Sequence, residues 1–311
     1  MPPVSNSSTP GPPPAPGTSR KREVPPLVSV IVPVRNGGET LGQQLEALGR
    51  QTYQGLWEII VADNGSVDNT PKIAEGYVGR LPGLRVVDAS GSPGASGARN
   101  AGAGAACGQF LAYCDADDEA TEGWLAGLVT TAADYDLVGG RLDHSSLNDR
   151  TTQAWRGTLA AEGLPRTLGF LPYALSSNVG MWSDVLRALG GWNEKYDFGE
   201  DVELCWRAQL AGYSLGFAPN AVMRYRHRRD LRGMMKQAYS YGLSDARLYW
   251  QFRSAGVPPR SLSGTLSGWA WLVAHLPDLL GSQAHRGRWL RKATSRWGRL
   301  RGSARHRVWC L

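Results

Sequence analysis

The stretch that most constrains this chain is Phe110-Leu111-Ala112-Tyr113-Cys114-Asp115-Ala116-Asp117-Asp118. Its first five residues form an unbroken apolar run. A run without alternation reads as a strand buried on both faces, the habit of parallel sheets covered by helices. The run then stops in three carboxylates within four residues. In open α/β sheets ligands gather outside the carboxyl ends of the strands, so this strand delivers acid groups to a binding crevice. Asp115 and Asp117 are separated by Ala116, and in extended backbone they project to one side. Two carboxylates so placed repel unless a cation lies between them. Oxygen donors suit Mg2+ or Mn2+, whose sites combine one or two carboxylates with substrate phosphates. The alternative is a turn in which the acids cap the next helix near Thr121, and it applies above all to Asp118 and Glu119.

The preceding residues supply a sheet for that strand. Leu27 to Val34 is a β-branched run and reads as the first strand. The loop Arg35-Asn36-Gly37-Gly38 leads to a helix over Glu39 to about Arg50. Trp57 to Ala62 is a second strand, closed by the turn Asp63-Asn64-Gly65-Ser66. A helix follows near Asn69 to Val78, with Pro71 in its first turn. Leu84 to Ala89 is a third strand, and a Gly/Ala-rich helix runs from about Ser96 to Ala106. Strands alternating with ten-residue helical stretches imply βαβ units, an α/β class and a parallel sheet. Beyond Asp118 the pattern predicts a helix over Thr121 to Ala133 and a strand over Asp136 to Leu142. It also predicts an extended segment over Leu171 to Trp182 and a short helix over Ser183 to Leu189. A helix opening at Glu200-Asp201 ends near Leu210, and one or two strands cover Tyr213 to Arg226. Residues Asp143 to Pro172 are polar and give no clear assignment.

A chain of 311 residues accommodates one large α/β domain with appendages. Residues 1–26, rich in Pro, Ser and Gly, cannot bury a core and are expected to be disordered. The four cysteines show neither metal-ligand spacing nor a disulfide framework, which fits a reducing compartment. The first residues carry no apolar signal core and no anchor, so the expected location is the cytoplasm. The net charge of +7 hides an asymmetry. From Ala221 to Leu311 there are 18 Lys and Arg against 3 Asp and Glu, whereas residues 1–220 carry 16 basic against 24 acidic groups. A basic, Trp-containing, helical region over 229–311 suits an anionic surface: a membrane leaflet, a nucleic acid or an anionic acceptor. Leu262 to Leu280 is strongly apolar, but His275, Pro277 and Asp278 interrupt it, and a span needs about 20 apolar residues. The expectation is a region lying on the cytoplasmic face of a membrane. The alternative is a helical subdomain packed on the core, its Arg stems covering apolar surface.

Several residues outside the acidic stretch are candidates for chemistry. The turn after the first strand lacks a Gly-x-Gly-x-x-Gly, and no phosphate-loop Gly-Lys-Ser/Thr occurs, so the dinucleotide and P-loop readings are weak. Asp63, ending the second strand, can accept from a ribose hydroxyl or a base N–H, or can simply close an Asp-Asn-Gly turn. Arg99 sits among small residues and can present a planar fork to a phosphate, or form a surface ion pair. Glu200 and Asp201 open a helix, where acids complement the dipole; Asp201, following the flexible Phe198-Gly199, can also serve as a general base. His227, within Arg224-Tyr225-Arg226-His227-Arg228-Arg229, is a weak metal-ligand candidate; His144, His275, His285 and His306 have less support.

Six segments in order then carry a specific resemblance. They are Val28–Asn36, Ile60–Thr70, Gly97–Gly102, Tyr113–Asp118, Gly190–Glu194 and Gly199–Arg207. Together, over roughly Val28 to His227, they resemble the family-2 glycosyltransferases of the GT-A fold. The resemblance implies a Rossmann-like, mostly parallel sheet flanked by helices, here over 27–228. It implies transfer of a sugar from a nucleotide-diphosphate sugar to a hydroxyl acceptor, a glycan or a lipid-linked molecule, with inversion. Pro33, Val34, Asn36 and Asp63 would contact the nucleoside, and Arg99 would help hold the nucleotide. Asp115-Ala116-Asp117 matches the Asp-x-Asp motif for ribose and a divalent cation, Mn2+ or Mg2+. Asp201 matches the base, and His227 loosely matches a further metal ligand. Glu200, Arg207 and Asp118 form a second rank of site residues. No Gln-x-x-Arg-Trp motif and no long span occur, which favours one sugar per encounter over processive synthesis, in cell-envelope glycan or glycolipid assembly. Two rivals are a nucleotidyltransferase acting on a sugar phosphate, for which Arg35-Asn36-Gly37-Gly38 is a poor loop, and a non-catalytic module binding anionic surfaces. Nucleic acid is the disfavoured partner.

Overall fold

The structure, a computed structural model, describes residues 21–156 and 163–310. Most of the stretch expected to be disordered lies outside them. Arg22, within that stretch, is pinned: its guanidinium pairs with Asp136 at 3.0 Å and Asp184 at 2.9 Å and lies over Trp182.

The amino-terminal half is the alternating pattern made solid. β1 (Val28–Val34), α1 (Leu41–Gly49), β2 (Trp57–Asp63), α2 (Thr70–Glu75), β3 (Arg85–Asp88), α3 (Ala95–Ala105) and β4 (Phe110–Cys114) follow in order. Every residue of β1 and β4 is buried, as unbroken apolar strands covered on both faces require. Leu41, Leu45 and Leu48 place one apolar stripe of α1 against the sheet. β1 pairs in parallel with both β2 and β4, and β2 with β3.

Past the acids come β5 (Glu119–Ala120), α4 (Trp124–Ala132), β6 (Leu137–Asp143), α5 (Arg150–Arg156), β7 (Asn178–Trp182), α6 (Ser183–Ala188), α7 (Glu200–Leu210) and β8 (Leu215–Arg224). The eight strands form one mixed sheet, ordered β3-β2-β1-β4-β7-β6-β8-β5. Its parallel half ends at β4, against which β7 runs antiparallel. Of the extended segment expected over Leu171 to Trp182, only β7 is strand; residues 171–177 are irregular. Tyr213 to Arg226 yields a single strand. β5 and α5 are the elements that periodicity did not announce.

The basic region is helical: α8 (Leu231–Phe252), α9 (Leu262–Ala274) and α10 (Gln283–His306), with short 3-10 turns at Arg253–Ala255 and Leu276–Leu280. It is not detached. Trp206 of α7 meets Phe252 of α8 edge-on at 5.4 Å, and Tyr196, Val202 and Trp206 share one buried cluster with Ala246, Leu248, Val257 and Cys310. Among the described residues no helix is long and apolar enough to cross a membrane.

Candidate active site

A cavity of about 780 Å3 opens where the carboxyl ends of β1 and β4 lie side by side. β1 there separates strands on either side, the place where α/β sheets collect ligands. Pro33, Val34 and Asn36 line it from the loop after β1, Arg99 from α3, and Asp115 and Asp117 from the end of β4. Asn36 holds a left-handed backbone (φ 52°) and is tied to the turn after β2. Its N–H donates to Ser66 Oγ at 2.9 Å and its Oδ1 accepts from the Val67 N–H at 2.9 Å. Asp63 does not line the cavity. Its Oδ1 accepts from both the backbone N–H and the hydroxyl of Ser66, so it closes the turn that also fixes Asn36. The neighbouring Asn64, which sequence reasoning passed over, does line the cavity, and its amide ties Ala89, Ser92 and Gly94 together.

The carboxylates of Asp115, Asp117 and Asp118 present oxygen atoms within 4.8 Å of one another. Asp118 is buried. Its Oδ1 accepts from the Arg226 N–H at 2.8 Å, and its Oδ2 has no partner among the described residues. Burial first, then the charges of Asp117 and Asp115, push its carboxyl well above the ordinary range. Burial and Asp115 also raise Asp117, against the pull of Arg228, whose guanidinium lies 3.4 Å away. Three crowded carboxylates, one of which keeps a buried oxygen with no partner among the described residues, fit a divalent cation. His227 is not among them. Its ring stacks on His144, centroids 5.1 Å apart and planes 1° off parallel, and neither ring nitrogen of His227 has a partner among the described residues. Burial, Arg156 and His144 push His227 down to about 3, so the imidazole is neutral.

Arg99 is buried, and both terminal nitrogens of its fork are engaged, while its Nε has no hydrogen-bond partner among the described residues. It donates at 2.9 Å to Asp115 Oδ1, to Glu200 Oε1 and to Ser176 Oγ, and its plane lies 5.0 Å from the Trp192 ring. The ion-pair alternative for Arg99 is therefore realised, in the interior instead of on the surface. One guanidinium joins the acids after β4 to the first turn of α7.

Asp201 lines a second cavity of about 530 Å3. Its Oδ2 accepts from the Ser176 N–H at 3.3 Å and its Oδ1 from the Val202 N–H at 2.8 Å. Burial first, and then Glu200, raise its carboxyl to about 7. Tyr173, Tyr225, Tyr241, Arg156 and Arg299 surround it, and His227 lines both cavities. Glu200 and Arg207 line neither. Arg207 clamps Glu203 at 3.0 Å and donates to the carbonyls of Gly191 and Leu189, which fixes the glycine turn against α7. No sequence signal marks Tyr173, Tyr225 or Tyr241, and the sequence offers His144 only as a weak candidate; scattered elements bring the four together.

A family model described as Glycosyl transferase family 2 matches residues 29–189, and a second, Glycosyl transferase family group 2, matches residues 115–285. The chain belongs to glycosyl transferase family 2. This family-2 chain is 30% identical over 268 residues to a pre-mycofactocin glycosyltransferase of Mycobacterium tuberculosis, covering 83% of this chain and 54% of that protein. It is 32% identical over 200 residues to glycosyltransferase AglE of Haloferax volcanii, covering 63% of this chain and 66% of AglE. The chain thus spans about half the length of the mycobacterial relative. Among solved structures, the mannosyltransferase PcManGT of Pyrobaculum calidifontis, in complex with GDP-Man and Mn2+, superposes with a TM-score of 0.63 at 18% identity, over 92% of this chain and 89% of that one. Residues 1–349 of S. aureus TarS give 0.52 at 19% identity, over 91% and 93%. These likenesses are of fold, and they make the mixed sheet a GT-A sheet.

Proposed function

We propose that this chain transfers a single sugar from a nucleotide-diphosphate sugar to a hydroxyl acceptor, with inversion, in cell-envelope glycan or glycolipid synthesis. One observation carries the reading. Acids occupy two cavities, Asp115 and Asp117 in the first and Asp201 in the second, and buried Arg99 couples the two sides through Asp115 and Glu200. A donor and an acceptor can then meet between them. In this reading Pro33, Val34 and Asn36 hold the nucleoside, and Asp63 shapes that loop through Ser66 instead of reaching the base itself. Asp115, Asp117 and Asp118 would hold Mn2+ or Mg2+, which would neutralise the charge of the departing diphosphate. Arg99 positions Asp115 and Glu200. The acceptor hydroxyl gives its proton to Asp201. Its oxygen bonds the anomeric carbon as the carbon–phosphate-oxygen bond breaks, and the nucleotide leaves with that electron pair on the opposite face. The GDP-Man and Mn2+ of PcManGT support the donor and cation classes. The printed name of the E. coli relative WfgD, a glucosyltransferase acting on a diphosphoundecaprenol, supports a lipid-linked acceptor, though likeness to it covers 30% of this chain.

The test is a panel of nucleotide sugars with Mn2+ or Mg2+, read by thermal shift and by turnover. Chelator abolishes turnover. Asp201→Asn keeps the donor-induced thermal shift and loses about 10²–10⁴-fold in rate. A loss below about tenfold, or loss of donor binding instead, removes Asp201 from the role of base.

A further inference from the structure

α9, Leu-Ser-Gly-Thr-Leu-Ser-Gly-Trp-Ala-Trp-Leu-Val-Ala, contains no charged residue. It seats a narrow face, Thr265, Gly268 and Leu272, on the rest of the protein. Trp289 of α10 donates to the Leu272 carbonyl at 2.9 Å, and Lys292 lies 3.6 Å from the Trp271 ring centroid. The Arg296 guanidinium passes so close over Gly268 that any side chain there would collide with it. The remaining apolar residues face outward: Leu266 is 67% exposed, Val273 68% and Leu280, in the following 3-10 turn, 91%. Between α9 and α10 lies a groove of about 460 Å3, floored by Leu272 and Leu290 and flanked by Trp269, Trp289 and Trp297. A soluble surface rarely leaves so continuous an apolar patch uncovered.

The charge around the patch selects what covers it. α10 carries eight Lys and Arg and no acid. Burial, and then Arg291, Arg288 and Arg296, push the Lys292 ammonium below its ordinary value, and the acid of the neighbouring turn, Asp278, pairs with Arg288 at 3.3 Å. A second copy of the chain seated symmetrically on this face would bring two such helices together and repel. An anionic bilayer attracts them, at a headgroup depth that Trp side chains favour.

We propose that α9, the Leu276–Leu280 turn and the basic flank of α10 dock the enzyme onto an anionic membrane surface without crossing it. Leu262, Leu266, Trp269, Val273, Leu276 and Leu280 enter the acyl boundary, and Arg286, Lys292 and Arg296 meet lipid phosphates. The side of α10 turned away from that groove, at Ser295 and Arg299, walls the Asp201 cavity. That cavity then stands about one helix diameter, ~10–12 Å, above the headgroups, where the hydroxyl of a lipid-anchored acceptor can reach it. The docking itself stands apart from the glycosyl-transfer reading, since it rests on α9 and α10 alone.

The experiment is flotation of the full chain with vesicles of phosphatidylcholine alone and of phosphatidylcholine with phosphatidylglycerol, at low and high salt, beside the exposed-site variant Leu266→Glu/Val273→Glu. Donor hydrolysis and the thermal melt of that variant are followed in parallel. The chain is expected to float with anionic vesicles only, less so at high salt, with a blue-shifted Trp emission. The double variant is expected to lose roughly tenfold or more of its bound fraction while its melt and donor hydrolysis stay as in the parent. Three results overturn the docking: no flotation on any vesicle, flotation of the variant equal to the parent's, or a dimer of the parent in solution that the variant dissolves. Failure of donor hydrolysis with flotation intact would instead tell against the transferase reading.

Discussion

At the scale of single residues, the site is decided by what surrounds each acid. Asp201 and Asp118 are both buried carboxyls, yet Asp201 keeps two backbone N–H donors on its oxygens, while Asp118 keeps one donor and a bare oxygen. The first arrangement steadies a carboxylate that can take and release a proton near neutrality; the second suits the cation proposed above. Because burial and Glu200 raise Asp201 to about 7, a base of this kind is ionised and active above that pH and protonated below it. kcat/KM for transfer is therefore expected to fall as pH drops through about 7, approaching tenfold per unit on the acid side, and Asp201→Asn should lack that limb in its residual rate. A flat profile between about pH 5 and 8 would remove Asp201 as the titrating base. Asp115, Asp117 and Asp201 were legible because acids placed at a strand end or a helix start stand out in one dimension. The partners of Arg99 were not. Glu200 lies 101 residues away in the chain and Ser176 lies 77 away, and nothing local announces a buried fork. For Asp63 the sequence left two roles open, and the contact with Ser66 is the turn.

Among the elements, β1, β2 and β4 were legible from β-branched and aromatic runs, and α7 from its first residue to its last. The two-residue strand β5 and the irregular stretch over 171–177 were not, because β5 exists through pairing with β8 and 171–177 is held by side chains of α7, not through any pattern of their own. Most of what the C-terminal helices do was hidden for the same reason. α8 and α10 meet along a seam of small residues. A Cβ on Gly242 would run into the backbone of Ser295, and one on Gly298 into the carbonyl of Tyr239. Backbone cannot step aside as a side chain can, so Gly298→Val must push the helices apart. Such overpacking costs about 1–3 kcal/mol, and it opens the wall that Tyr241, Ser244, Ser295 and Arg299 make for Asp201. Gly104 in α3 is the matched contrast, since a Cβ there meets nothing. Gly104→Ala should stabilise by about 0.5–1 kcal/mol through helix propensity alone. Denaturant midpoints of the two variants, shifted in opposite directions, check the argument; equal shifts would mean the seam is looser than it looks.

The whole molecule joins an acidic part, proposed above to hold the nucleotide, to a shorter basic helical part, and the join runs through both charge and core. Arg226 and Arg228, from the basic run after β8, are engaged with Glu119 and Asp117 at the mouth of the first cavity. Farther in, Tyr196, Val202 and Trp206 are covered by α8 and by Cys310 near the end of the chain. Fully burying side chains of this size contributes about 1.5–3 kcal/mol each. Stripping the cover from three of them removes about 5–9 kcal/mol, against a total stability of about 5–15 kcal/mol for a typical protein. A chain ending at Arg228 is therefore expected to misfold or aggregate, although the sheet and the acid cluster lie wholly within it. The full chain should instead melt in one cooperative transition. Circular dichroism melts of the two forms, with donor-induced thermal shift as the measure of an assembled site, decide the matter. If the shortened form is soluble, melts within a few degrees of the parent and still binds nucleotide sugar, the helices are an appendage, and the Asp201 cavity does not need them. If it fails, as the shared core requires, α8 and α10 are structural parts of the acceptor side. The surface that α9 offers would then be rigidly joined to the site it serves.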